Sequence, residues 1–177
     1  MRMTTETLAG IPSIVFGLFG YLFFNIYLKW GYSILGGALT LSIMVLPLIL
    51  RTTEEALRSV SDTYREGSFG LGAGKLRTVF RIVLPSAVPG ILAGVILAIG
   101  RVVGETAALL YPAGTAPQVA DGLFSSGRTL AVHMYALLNE GLYTEQAYAT
   151  AVVLLVLVVC INALSSFVAK KAGVKEK

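Results

Sequence analysis

The sequence predicts an all-α fold, a polytopic membrane protein with four transmembrane helices and a long cytoplasmic loop. Three observations predict it. First, 55% of the residues are hydrophobic and only 14% are charged, against about 25% charged in a typical soluble domain. Second, the charges leave long gaps: residues 7–28, 30–50, 82–100 and 146–169 carry none. A bilayer core about 30 Å thick is crossed by roughly 20 apolar residues in a helix. Third, the basic residues are segregated. Six fall in 51–81 (Arg51, Arg58, Arg65, Lys75, Arg77, Arg81) and four in the C-terminal tail (Lys170, Lys171, Lys175, Lys177), while Lys29 and Arg128 alone mark the opposite side. This composition excludes a soluble enzyme and a nucleic-acid binder. The whole chain, 1–177, reads as one transmembrane domain in contact with the lipid bilayer.

The spans are predicted at about 10–28, 33–50, 86–111 and 147–169. Each must be helical, because lipid offers no partner to an exposed backbone N–H or C=O. Pro12 suits a first helical turn, whereas Pro47 should kink the end of the second span. The positive-inside rule places 51–85 and both termini in the cytoplasm, and 112–146 outside. In the cytoplasmic loop, Thr52 and Glu55 stand at capping-box spacing, so a short amphipathic helix is expected to open there and carry Leu57, Val60 and Tyr64 on one face. The glycines of 67–74 should then break it. Gly74-Lys75 fails as a nucleotide loop: Phe69 stands where a P-loop needs glycine and Leu76 where it needs Ser or Thr. What remains is an apolar tip, Phe69 and Leu71, flanked by Arg and Lys; it reads either as a basic connector held at the membrane surface or as a protein-docking loop.

The third span contains two charges. At 100° per residue, Gly90, Gly94, Ala98, Arg101 and Glu105 share one stripe, and Arg101 and Glu105 are four apart, close enough to pair. A charge near the bilayer centre costs about 2.5–3.5 kcal/mol on insertion scales, so the stripe should face protein or a wet cavity. Two readings stay open: a neutralised pair that locks helix packing, or a guanidinium fork lining an anion path with Glu105 holding it. Counted from Ala87, Arg101 lies about 21 Å along the helix, past the midplane toward the outer side. In 112–146, Leu130, Met134, Leu137 and Leu138 predict an interfacial helix, and His133 beside them is a lone histidine, without the companions a metal site needs. Cys160 reads as a small apolar side chain; Asn162, Ser165 and Ser166 could bond across a helix interface. No cofactor, metal or catalytic constellation is expected.

Gly72, nine intervening residues and then Ile82-Val83-Leu84-Pro85 resemble the G-x9-I-x-L-P half of the cytoplasmic signature of ABC importer permeases. The upstream half is Glu66-Gly67-Ser68, where the family usually has Glu-Ala-Ala. Residues 10–19, 47–54 and 100–110 are similar to the permeases of the PstA type, from bacterial phosphate importers, so that the likeness spans most of 6–112. The resemblance implies a phosphate importer in which Glu66, Gly67, Ser68, Leu71, Gly72, Ile82, Leu84 and Pro85 form the coupling contact with a separate ATPase dimer, and Arg101 and Glu105 lie on the substrate path. It implies further partners: a second permease subunit and an extracytoplasmic phosphate-binding protein. Family permeases carry two more helices ahead of the one near Gly10, which implies a shortened form. Molybdate or sulfate as the anion, or a non-transporting membrane scaffold, are the alternatives.

Overall fold

The computed structural model describes residues 10–141 and 143–171, with side chains up to 167. Among these residues every regular element is helical: α1 (Ser13–Gly20) continued by the π-helical π1 (Tyr21–Tyr27), α2 (Ile34–Arg58), α3 (Asp62–Gly70), α4 (Lys75–Thr78), π2 (Val79–Val83), α5 (Leu84–Val103), α6 (Ala107–Leu110), α7 (Leu130–Glu140) and α8 (Thr144–Lys171). Three stretches are long and apolar enough to cross a membrane: Ile34–Arg58, Lys75–Val103 and Thr144–Phe167. The expected first span is described as Ser13–Tyr27, fifteen apolar residues, so its helix starts at 13 rather than 10 and this part is too short to cross alone.

The second span runs past its expected end. Pro47 lies buried inside α2, which continues to Arg58. Ser33 starts it, its Oγ accepting from the Gly36 N–H at 3.1 Å. The capping box expected at Thr52 does not form. Thr52 is mid-helix and its hydroxyl donates back to the Leu48 and Ile49 carbonyls, at 3.0 and 3.1 Å, while Glu55 pairs with Arg51 at 3.0 Å. A hydroxyl satisfied by its own preceding turn has no reason to end or begin a helix there. The helix starts instead at Ser61, whose Oγ accepts from the Thr63 N–H at 3.4 Å, with Asp62 favourably placed in the first turn.

The third span also differs. One helical run extends from Lys75 to Val103, eleven residues earlier than expected, and it stops at Gly104 rather than at 111. Its small residues do meet α2. Gly94 and Ala98 are buried, and a Cβ on Gly90 would lie 2.7 Å from the Ala56 Cβ, which only a bare Cα allows. Gly94 meets Thr52 in the same way. Two apolar clusters bind these helices to their neighbours: Ala56, Val60, Val83 and Ala87 join the end of α2 to π2 and α5, and Phe16, Met44, Val45, Ala98 and Ala108 join α1 and α6 to α2 and α5. At the far end Asn25 ties π1 to the segment after α6, its Nδ2 donating to the Tyr111 and Pro112 carbonyls at 3.4 and 3.2 Å.

The helix expected within 112–146 is α7. It buries Ala131, Val132 and Leu137 and leaves Leu138 exposed, a face rotated from the one the leucines predict because α7 packs on α8 as well as on the core. Gly141, in the left-handed region at φ 70°, ends it. Burial of the His133 ring, helped by Arg128 and opposed by Glu140, pulls its pKa below 6.5. Cys160, read as a small apolar side chain, is exposed on α8.

Candidate functional site

Two places hold the residues that the sequence singles out. The first is the segment between α2 and α5. α3 carries Glu66 and Gly67 on its exposed side and Ser68 on its buried one. The helix ends on Gly72, at φ +78°. The Gly72 N–H donates to the Phe69 carbonyl at 2.9 Å and the Ala73 N–H to the Ser68 carbonyl at 3.1 Å, the paired bonds of a Schellman stop, which requires a left-handed residue at that position. The glycines at 67 and 70, expected to break the helix, lie within it. Only Gly72 stops it.

α3 is fastened at both ends of its buried face. The Ser68 hydroxyl meets the Thr78 hydroxyl at 2.9 Å, buried, and Thr78 also donates to the Gly74 carbonyl at 3.2 Å. That joins α3 to the start of the Lys75–Val103 run. On the other side Arg65 Nη2 donates to the Leu57 carbonyl at 2.8 Å and Nη1 to the Val60 carbonyl at 3.3 Å, with Asp62 against the same guanidinium. Those carbonyls lie at the C-terminal end of α2, where a helix leaves acceptors unsatisfied and favours a cation. Arg65 thus straps α3 to α2. Counting basic residues treats Arg65 as one more surface charge; its spacing from Leu57, eight residues across an unforeseen helix break, hides the strap.

Between the clasp and the tip lies a cavity of about 330 Å³ lined by Ser68, Leu71, Gly72, Arg77, Arg81 and Ile82. Leu71 is 90% exposed. Ile82 and Leu84 are half-buried and Pro85 is exposed; Leu84 and Pro85 lie beyond the cavity, at the start of α5. Just before them, residues 79–83 are π-helical, a widening of the turn that recurs at functional sites.

Loss of the Arg65 strap should loosen α3 without unfolding the spans. Arg65→Ala removes charge-assisted bonds worth roughly 1–2 kcal/mol once partial exposure is allowed for. Amide exchange over 62–70 is expected to quicken about fivefold to thirtyfold, with exchange in α2 and α5 unchanged. Unaltered protection across α3 would show the strap to be idle.

The second place surrounds Arg101. It opens into a crevice of about 600 Å³ between α2, α5 and α8, lined by Leu48, Leu97, Gly100, Val158 and Asn162 among others. The expected pair with Glu105 is absent. Because α5 ends at Val103, Glu105 leaves the stripe; its Oε1 instead accepts from the Ala108 N–H at 3.1 Å and fixes the start of α6. Among the described residues no carboxylate lies in ion-pair range of Arg101. Arg101 sits in the last turn of α5; the crevice it lines reaches Leu48, three residues from Arg51, and Asn162, eight residues or about 12 Å of helix from Lys170. Among the described residues no three of His, Cys, Asp and Glu gather where a metal could bind.

The family profile described as binding-protein-dependent transport system inner membrane component matches residues 1–174. The chain belongs to that family. It is 41% identical over 158 residues to the probable ABC transporter permease protein YqgI of Bacillus subtilis, covering 82% of this chain and 54% of the relative. It is 46% identical over 114 residues to the phosphate transport system permease protein PstA 2 of Mycobacterium bovis, covering 64% and 38%. With PstA of Mycobacterium leprae it shares 38% over 168 residues, 92% of this chain and 55% of that one. The likeness to PstA-type permeases drawn from residues 6–112 is thus borne out over a longer stretch, and the chain is a multi-pass membrane protein of this inner-membrane-component family. It spans about half the length of these curated relatives. No solved structure matches it.

Proposed function

We propose that this chain is a membrane-spanning subunit of an ATP-driven importer of inorganic phosphate, with α3 as the helix through which a separate ATPase dimer drives it. The observation that carries the reading is the double fastening of α3: Arg65 to the end of α2 and Ser68 to Thr78 at the foot of the long span. A helix held at both sides moves two spans when it is pushed. Its tip supports the same reading, since Leu71 is an exposed apolar knob beside Arg77 and Arg81, a combination suited to a groove with an acidic rim. Glu66, Gly67, Ser68, Leu71, Gly72 and Ile82 form the contact, and Leu84 and Pro85 carry the motion into α5. The cytoplasmic side of the membrane is then the side of α3.

Arg101 supplies the anion step. Its fork of donors suits a tetrahedral oxyanion, and Glu105 acts on it only indirectly, by fixing the turn that follows. Phosphate is favoured over sulfate or molybdate because two of the three relatives named above are phosphate transport system permease proteins. A second permease subunit would close the open face of α8, and an extracytoplasmic binding protein would deliver the anion near α7. The test is a Leu71→Cys variant in a Cys160→Ser background, carrying a short photocrosslinker in native membranes. The expected adduct is with a nucleotide-hydrolysing subunit. Adducts confined to lipid or to the chain itself would overturn the reading.

A further inference from the structure

We propose that Asn162 is the second polar contact for the anion at Arg101, and that it favours an oxyanion which still carries a proton. This rests on the reading of Arg101 as part of the substrate path. Asn162 and Arg101 come from different helices, α8 and α5, yet line one crevice whose other walls are apolar. The Asn162 Oδ1 lies 3.8 Å from where a Cβ on Gly100 would stand, so the amide reaches the face of α5 next to Arg101. An amide in an apolar, membrane-embedded wall should find a partner on a neighbouring helix. Asn162 and Arg101 are both exposed at the crevice, and neither has a hydrogen-bond or ion-pair partner among the described residues. Two unpartnered polar groups facing one opening point to a ligand that both can reach.

The chemistry of the pair then narrows the ligand. Arginine only donates, so it accepts any oxyanion without distinction. An asparagine amide donates through Nδ2 and accepts through Oδ1. Phosphate near neutral pH keeps at least one hydroxyl and can donate to Oδ1, whereas sulfate has no proton to give and leaves that acceptor unpaired. A site that expects a hydroxyl rejects the analogue lacking it, because its own polar group is stranded.

The experiment compares Asn162→Leu with Arg101→Gln in the assembled importer, measuring phosphate uptake into membrane vesicles and recovery of the ATPase with the permease. Asn162→Leu is expected to lower phosphate uptake about tenfold, the scale of one hydrogen bond to a charged group, with recovery unchanged; Asn162→Gln should keep at least a third of it. Phosphate uptake within twofold of the unsubstituted importer in Asn162→Leu, while Arg101→Gln has lost it, overturns the proposal and spares the substrate path. Normal uptake in both variants overturns the substrate path as well. Should Asn162→Leu fail to assemble, Asn162→Cys in the Cys160→Ser background is labelled with an anionic thiol reagent. Phosphate is expected to slow that labelling at least threefold more than equal sulfate, and equal protection by the two anions overturns the preference.

Discussion

Replacing Gly72 with valine is expected to lower recovery of the partner ATPase about tenfold while leaving membrane insertion intact. No atom lies within 4 Å of a Cβ placed on Gly72, so the side chain would meet no obstacle. The cost is in the backbone. At φ +78° an L-residue is disfavoured by roughly 1–2 kcal/mol, and β-branching adds to it. α3 has nine residues, too few to persist without its stop and its tertiary fastenings. Releasing the stop frees the Ala73 N–H from the Ser68 carbonyl and draws Ser68 away from Thr78. Roughly a tenfold fall in co-purified ATPase follows from that strain alone. Gly72→Asn, which tolerates the left-handed region, should bind nearly as well as glycine. Gly72→Arg should fail like valine, with the added repulsion of a third cation beside Arg77 and Arg81. Equal recovery with valine and asparagine would mean that the helix stop has no part in docking.

The spans were legible because hydrophobic length survives any error in detail: 33–50 runs from the N-cap of α2 into its body, and 147–169 lies inside α8. Boundaries were less so, for a consistent reason. Thr52 and Glu55 have the spacing of a cap, but the same hydroxyl bonds its own helix when the preceding turn is already formed, and only the tertiary context chooses. Ser61-Asp62 was the better start signal and was masked by the apolar spacing of Leu57, Val60 and Tyr64, which turned out to sit in three different pieces of structure. Gly72 and the Ile82–Pro85 run were legible as a spacing pattern. What was not legible is the means by which they are held, because Arg65–Leu57 and Ser68–Thr78 bridge a helix break and a turn whose geometry no periodicity specifies. The pairing of Arg101 with Glu105 assumed that the helix continued through Gly104. It stops there, and the two charges part.

That separation decides what to expect of Arg101→Gln. Were Arg101 held by Glu105, glutamine would unlatch the helix packing and assembly would fall with uptake. In the structure Arg101 is exposed in its crevice and has no ion-pair partner among the described residues, so its removal breaks no internal bond. Phosphate uptake is expected to fall about tenfold to a hundredfold, the range for losing charge-assisted hydrogen bonds to an anion, with ATPase recovery unchanged. Arg101→Lys should retain part of the uptake, since it keeps the charge but not the fork. Glu105→Gln keeps an acceptor for the Ala108 N–H, so its effect should be small. It should also add to that of Arg101→Gln without coupling, as expected of groups that share no bond. Strong non-additivity in the double variant would restore the paired arrangement. Unchanged uptake in Arg101→Gln would remove Arg101 from the path, and the anion would have to be sought along another wall of the bundle.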